Sequence, residues 1–212
     1  MRRTTFPELR QWLPAIREPI QNHLSNFVRA LAVEAPRRAP ENARNIRIVV
    51  TGTDIHADGP SGRSASWGVS FEVMVPLKSN LEVTTRNGPI ALENVTGKIS
   101  LEAENGPIAL YGVGGDVRAR AQNGPLHVEL AGARWDGTGL DAQTVNGPVD
   151  LSILTNYSAH LETGTLNGPF DVDFPMTVTI HGRLNRISTD LGSGGPSVRV
   201  LTTNGPVQVR KG

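Results

Sequence analysis

The chain has 212 residues, 38% apolar but only 5% aromatic, with 23 glycines and 15 prolines, a balance that suits a thin β core with many turns better than a bulky globular one. A net charge of +1, with acidic and basic residues interspersed, leaves no electrostatic case for nucleic acid or an anionic membrane surface as partner. Zero cysteines exclude disulfides and thiolate sites, and no stretch approaches the ~20 consecutive apolar residues of a membrane span.

The first 45 residues differ in texture from the rest. Thr5 and Glu8 have capping-box spacing, and Leu9, Trp12, Leu13 and Ile16 recur at helical intervals, with Pro14 and Pro19 interrupting them. A short broken helix is expected there, then a more continuous helical segment from Ile20 to about Val33 bearing Leu24, Phe27, Val28 and Leu31. Residues 1–45 thus read as a helical cap over the first repeat or as a non-native leader. Arg2-Arg3 ahead of Phe6 suggests a twin-arginine export signal, but Glu8, Arg10, Arg17 and Glu18 stand where its apolar region would follow. No signal peptide is expected in the chain as it stands.

Strands begin after Asn45: residues 46–51, a weaker 54–57, a Gly/Ser-rich loop over 58–66, and 67–75 with Val69, Phe71, Val73 and Val75 in strict alternation. Pro76 ends that run. Residues 46–212 are read as one domain, most of it a repeat.

The tetrapeptide Asn-Gly-Pro plus an apolar residue occurs six times, at Asn87-Gly88, Asn105-Gly106, Asn123-Gly124, Asn146-Gly147, Asn167-Gly168 and Asn204-Gly205. Intervals of 18, 18, 23, 21 and 37 residues mark a solenoid, the last having room for two coils with one motif lost. Glycines also fall nine apart at Gly88, Gly97, Gly106, Gly115 and Gly124, so each coil divides into two short strands and two turns. Between turns the apolar residues alternate, as in Ile90 and Leu92 or Ile99, Leu101 and Ala103, which is the strand period. The expected fold is all-β, a parallel β-helix with two short strands per ~18-residue coil plus the broken N-terminal helix. The corner has a local explanation: Asn and Gly tolerate the left-handed region, and Pro opens the outgoing strand. Stacked asparagines can also exchange amide hydrogen bonds along their column.

Stacking in chain order predicts three interior columns: Ile90, Ile108, Leu126, Val149, Phe170, Val207; Leu92, Leu110, Val128, Leu151, Val172, Val209; and Leu81, Ile99, Val117, Leu140, Leu161, Val198. All eighteen positions are apolar. The stretch from Phe174 to Ser197 breaks the pattern, with a strand expected at residues 177–180 and a loop at 191–196 before the repeat resumes at Val198.

The run from Val69 to Val209 resembles a bacterial adhesin-like domain family of uncharacterised parallel β-helix proteins. The resemblance rests on Val75-Pro76, Leu81-Glu-Val-Thr-Thr-Arg-Asn-Gly88, Asn94-Val-Thr-Gly97, Gly114-Gly-Asp-Val-Arg118, Leu191-Gly-Ser-Gly-Gly195 and Leu201-Thr-Thr-Asn-Gly205. It implies a non-enzymatic structural or binding protein of the cell envelope, with an envelope protein or polysaccharide as partner and no cofactor. Without an export signal, the alternative compartment is the cytoplasm. The family's members usually begin with an export signal and a strand, from which this N-terminus departs.

Outward columns carry whatever chemistry the coils present. On the strand entering the motif, Glu82, Ser100, Arg118, Asp141, Glu162 and Arg199 alternate in sign, and Lys98 stacks on Asp116 and Glu102 on Arg120, which reads as ladder stabilisation. On the strand leaving it, His127, Glu129, Asp150, Asp171 and Asp173 gather on one face. That face is the one candidate for a divalent cation or a sugar-cleaving carboxylate pair. A solvated acidic face without a ligand weighs more, so no metal and no catalytic residue is assigned. The five histidines show no zinc spacing, and no Ser/His/Asp order is legible. Two further readings stand beside the binding scaffold: a self-assembling filament, joined weakly end to end through open strand edges where a monomer is otherwise expected, and a carbohydrate-active β-helix enzyme.

Overall fold

The computed structural model describes residues 27–34, 46–60, 67–173 and 185–212. The chain divides into two compact units, residues 1–75 and 76–212. The expected boundary near residue 45, the broken helix and cap over residues 5–26, and the strand at 177–180 lie outside the described residues. Among the described residues there is no helix, and so none long and apolar enough to cross a membrane.

In the first unit, β1 (Phe27–Glu34) pairs antiparallel with β4 (Gly68–Met74), with a register shift between Ala30 and Ala32. This corrects the expected helix over residues 27–33, while its first part, residues 20–26, lies outside the described residues. Helical spacing of a few apolar residues is a weak local preference, and a partner strand that satisfies the backbone groups overrides it. β2 (Arg47–Thr51) and β3 (Asp54–Asp58) form a hairpin around Gly52, whose φ of 61° puts it in the left-handed region a tight turn requires.

The second unit consists of two sheets. One contains β5 (Leu81–Asn87), β7 (Thr96–Asn105), β9 (Gly114–Asn123), β11 (Gly139–Asn146), β13 (Ala159–Asn167), β15 (Asn185–Leu191) and β16 (Ser197–Asn204). The other contains β6 (Ile90–Glu93), β8 (Ile108–Tyr111), β10 (Leu126–Glu129), β12 (Val149–Ile153), β14 (Phe170–Asp173) and β17 (Val207–Lys211). Every pairing is parallel except that of β15 with β13. The chain passes from one sheet to the other at each Asn-Gly-Pro corner, and the three apolar columns run where alternation placed them. Ile99, Ile108, Leu110, Leu126, Val128, Leu151, Leu161, Val198 and Val209 are all at most 1% exposed. Burying each contributes roughly 1.5–3 kcal/mol, the main favourable term for a unit with few aromatics.

The order of the strands is not the order of the chain. The sheets run β15-β13-β16-β11-β9-β7-β5 and β14-β17-β12-β10-β8-β6, so the last repeat, β16 with β17, lies between β11/β12 and β13/β14. This corrects the sequential stack. After β14 the chain returns as β15, antiparallel on the far edge of β13, a strand the sequence reading missed. It then turns through residues 192–196 and enters the gap on the other side of β13. Gly192, Gly194 and Gly195, with φ of 55°, 73° and 137°, supply the reversal, and His160 N–H donates to Pro196 O at 3.1 Å as the chain passes. The carboxyl-terminal strand is therefore interior, flanked on both sides by β12 and β14.

At the corners the asparagines form one continuous ladder. Side-chain amides donate from Asn105 to Asn87, Asn123 to Asn105, Asn146 to Asn123, Asn204 to Asn146 and Asn167 to Asn204, at 2.8–3.3 Å. Most of the corner glycines have a different reason from the one expected. Among them only Gly88 and Gly205, with φ of 125° and 155°, lie in the left-handed region. At Gly106, Gly124, Gly147, Gly168 and Gly205 an added Cβ would run into the backbone carbonyl of the corner glycine stacked beside it. At Gly106, Gly124, Gly147 and Gly168 close approach of successive corners alone excludes a side chain, at Gly205 it acts together with the positive φ, and at Gly88 the expected dihedral reason stands by itself.

Insertions in the repeat are absorbed in loops. Between β10 and β11 the extra residues bring in Trp135, which is 3% exposed and donates its indole N–H to Gly115 O at 3.0 Å.

Candidate functional site

Side chains at alternate positions leave each sheet outward, so the parallel register determines which of them meet. On the six-stranded sheet one outward column reads Ala91, Ala109, His127, Asp150, Gln208, Asp171, and the next reads Glu93, Tyr111, Glu129, Ser152, Arg210, Asp173. A chain of contacts runs diagonally across four of these strands. The Tyr111 and His127 rings have centroids 5.3 Å apart, tilted by 46°. His127 Nδ1 lies 3.6 Å from Asp150 Oδ2, Arg210 Nη2 lies 3.4 Å from the same oxygen, and Arg210 Nη2 donates to Gln208 Oε1 at 2.6 Å. About a third of the His127 and Asp150 side chains and half of Arg210 remain exposed, so their polar edges stay open to a ligand.

This arrangement redistributes the predicted acidic face. His127, Glu129 and Asp150 lie on neighbouring strands as expected, but β17 separates them from Asp171 and Asp173. A guanidinium and an amide stand where sequential stacking would have put carboxylates. No group of three or more ligating side chains converges on a cation-sized point among the described residues. Alternation assigns Gln208 and Arg210 to these same columns but at their far end, beyond Asp171 and Asp173; their position beside Asp150 and Ser152 leaves no local signal in the sequence.

The seven-stranded sheet presents an ion-pair surface. Arg118 is in register between Ser100 and Asp141, and Lys98 faces Asp116 and Glu102 faces Arg120, as alternation predicted. The tightest pair is diagonal: Arg120 donates to Asp141 Oδ2 and to Asp141 O at 3.0 Å, while Gln143 donates to Asp141 Oδ1 at 2.7 Å. Partial burial alone would raise the Asp141 pKa, but these hydrogen bonds, with the charges of Arg120 and Arg199, hold it below the ordinary carboxylate value. A shallow open depression of about 330 Å³ lies beside them, lined by Glu102, Glu104, Arg120, Gln122, Gln143 and Val145. At the far edge, His160 on β13 bonds to Asp190 and to Ser188 on β15, a meeting hidden from a reading that had no β15.

Neither a protein-family model, nor a curated protein, nor a solved structure matches this chain.

Proposed function

We propose that this protein is a β-solenoid binding scaffold of the adhesin-like kind that lays the outer face of its six-stranded sheet against an extended polysaccharide of the bacterial cell envelope. The observation that carries this reading is the diagonal row of Tyr111, His127, Asp150, Arg210 and Gln208, spread over four strands and thus roughly 14 Å. An aromatic face followed by a carboxylate, a guanidinium and an amide is the donor, acceptor and stacking set that hydroxyl-rich rings use. The three polar groups are already oriented by one another, so little side-chain freedom is lost on binding. Small-molecule sites are concave, whereas this row crosses the outer face of a sheet, which suits a polymer that touches several strands at once. The regular alternation of the chain between two parallel sheets supports a closed coil as the scaffold.

Co-sedimentation with a panel of insoluble cell-wall polysaccharides tests the proposal. The wild type is expected to bind at least one of them, with Tyr111→Ala and Arg210→Ala each weakening binding by about tenfold, or about 1.4 kcal/mol. Binding to none of the panel, or equal binding by the double variant, refutes it.

A further inference from the structure

We propose that Ser188, His160 and Asp190 form an acyl-transfer relay on the edge of the seven-stranded sheet, with Ser188 as nucleophile toward small, exposed O-acyl esters. This goes beyond the binding role and does not depend on it, since it uses the other sheet and other residues.

The relay follows from the antiparallel register of β13 and β15, which sets Asp190 directly opposite His160 and Ser188 opposite Glu162. Ser188 and Asp190 are two residues apart, so both leave the same face, where His160 reaches one straight across and the other on the diagonal. Asp190 Oδ1 lies 2.7 Å from His160 Nδ1, and Ser188 Oγ lies 3.2 Å from His160 Nε2. A carboxylate can only accept, so Asp190 places the imidazole proton on Nδ1 and leaves the Nε2 lone pair for the serine hydroxyl to donate to. That is the polarity a serine nucleophile needs from its base, and the base needs from its orienting group.

Two neighbouring features complete the site. Glu162 Oε1 is 4.0 Å from His160 Nε2, on the side where the serine proton arrives, while Arg186 at 2.7 Å and Arg199 at 3.7 Å hold its other oxygen. Donors for the developing oxyanion come from the strand edge. His160 N–H is spent on the β16 side, to Pro196 O, so alternation turns Leu161 and Thr163 toward β15, and their partners there are Thr189 and Ile187. The backbone N–H groups of Ser188 and Asp190 therefore point off the outer edge of β15, where no described strand lies.

In the reaction, Ser188 Oγ bonds to the ester carbonyl carbon as its proton passes to His160 Nε2. The tetrahedral oxyanion then collapses with cleavage of the ester C–O bond, and Nε2 returns the proton to the departing alkoxide. Water attacks the acyl-Ser188 carbonyl by the same route, releasing the carboxylic acid and restoring the serine. Ser188 and Asp190 are exposed on the outer face of the sheet, and among the described residues they sit on a sheet edge rather than in a cleft that would hold a long acyl chain. The substrate class is accordingly a short acyl group, such as acetyl, on a free or polymer-borne alcohol.

The test uses the full chain with a fluorophosphonate probe and with p-nitrophenyl acetate. Stoichiometric probe adduct on Ser188, located by peptide mass spectrometry, is expected, together with ester hydrolysis that Ser188→Ala abolishes. His160→Gln should slow labelling about a hundredfold. Asp190→Asn should slow it as well, while Asp190→Glu restores part of the rate, a rescue that a purely structural side chain would not show. Ser188 is exposed, so circular dichroism of Ser188→Ala should match the wild type and keep the comparison valid. No adduct on Ser188 in the folded wild type, labelling unchanged in His160→Gln or Asp190→Asn, or hydrolysis surviving in Ser188→Ala each overturns the proposal.

Discussion

Replacing Gly124 by alanine separates two explanations of the corner glycines. If the turn's dihedral angles demanded glycine, Gly88 would be the sensitive position, because its φ of 125° is unfavourable for any side chain. If close stacking demands it, Gly124 is the sensitive one. A Cβ there meets the carbonyl oxygen of Gly106, whereas a Cβ at Gly88 finds nothing nearer than Thr85 Oγ1 at 4.0 Å. The obstructing atom is backbone and cannot rotate away. Gly106 N–H donates to Asn123 O at 2.9 Å, so separating these two corners stretches that bond and presses the Gly124 corner onto that of Gly147, which already packs against Gly124 O. Overpacking costs about 1–3 kcal/mol and the weakened ladder bond about 1 kcal/mol, which places Gly124→Ala at roughly 2–4 kcal/mol. Gly88→Ala carries only backbone strain, about 1–3 kcal/mol, at a corner on the edge of the sheets. Urea unfolding followed by far-ultraviolet circular dichroism measures both. A Gly124→Ala loss below about 1 kcal/mol, or one smaller than that of Gly88→Ala, refutes the stacking argument.

Three further outcomes are expected. Deleting residues 197–212 removes strands from the middle of both sheets, so hydrogen exchange should show amides of residues 159–173 unprotected while those of 81–129 stay protected; full protection of 159–173 would mean the last repeat is dispensable to them. Asp141 has a lowered pKa, so its contribution to stability is complete above the ordinary carboxylate value near 4 and fades as pH falls through its folded value; the stability difference between wild type and Asp141→Asn should be level at neutral pH and shrink only in acid. Tyr157, 2% exposed, has its pKa pushed up to about 12 by burial, so the fold should lose stability as pH rises from about 10 toward 12, and Tyr157→Phe should lose less and lack the late phenolate absorbance step.

Strand periodicity, the membership of the three apolar columns, the outward ladders around Arg118 and the asparagine ladder were all legible in the sequence. Each depends on side-chain alternation within a strand and on the recurrence of one corner, both local properties. The left-handed turn expected of the corner glycines holds at Gly88 and Gly205, but at Gly106, Gly124, Gly147 and Gly168 a Cβ is excluded by the neighbouring repeat, which was not legible. The order of the repeats was not legible either. Asn146 fits Asn204 as well as Asn167, and Leu140 meets an apolar partner whether Val198 or Leu161 lies beside it, so every pairing register satisfies the same pattern. Only the return of β15 along β13 and the glycine turn after it send the last repeat into the gap. That one topological event places Arg210 among the carboxylates and divides the predicted acidic face. The return strand itself brings Ser188 and Asp190 to His160 from 28 and 30 residues away, a juxtaposition that arises from pairing between distant segments and leaves no trace in the spacing of any one of them.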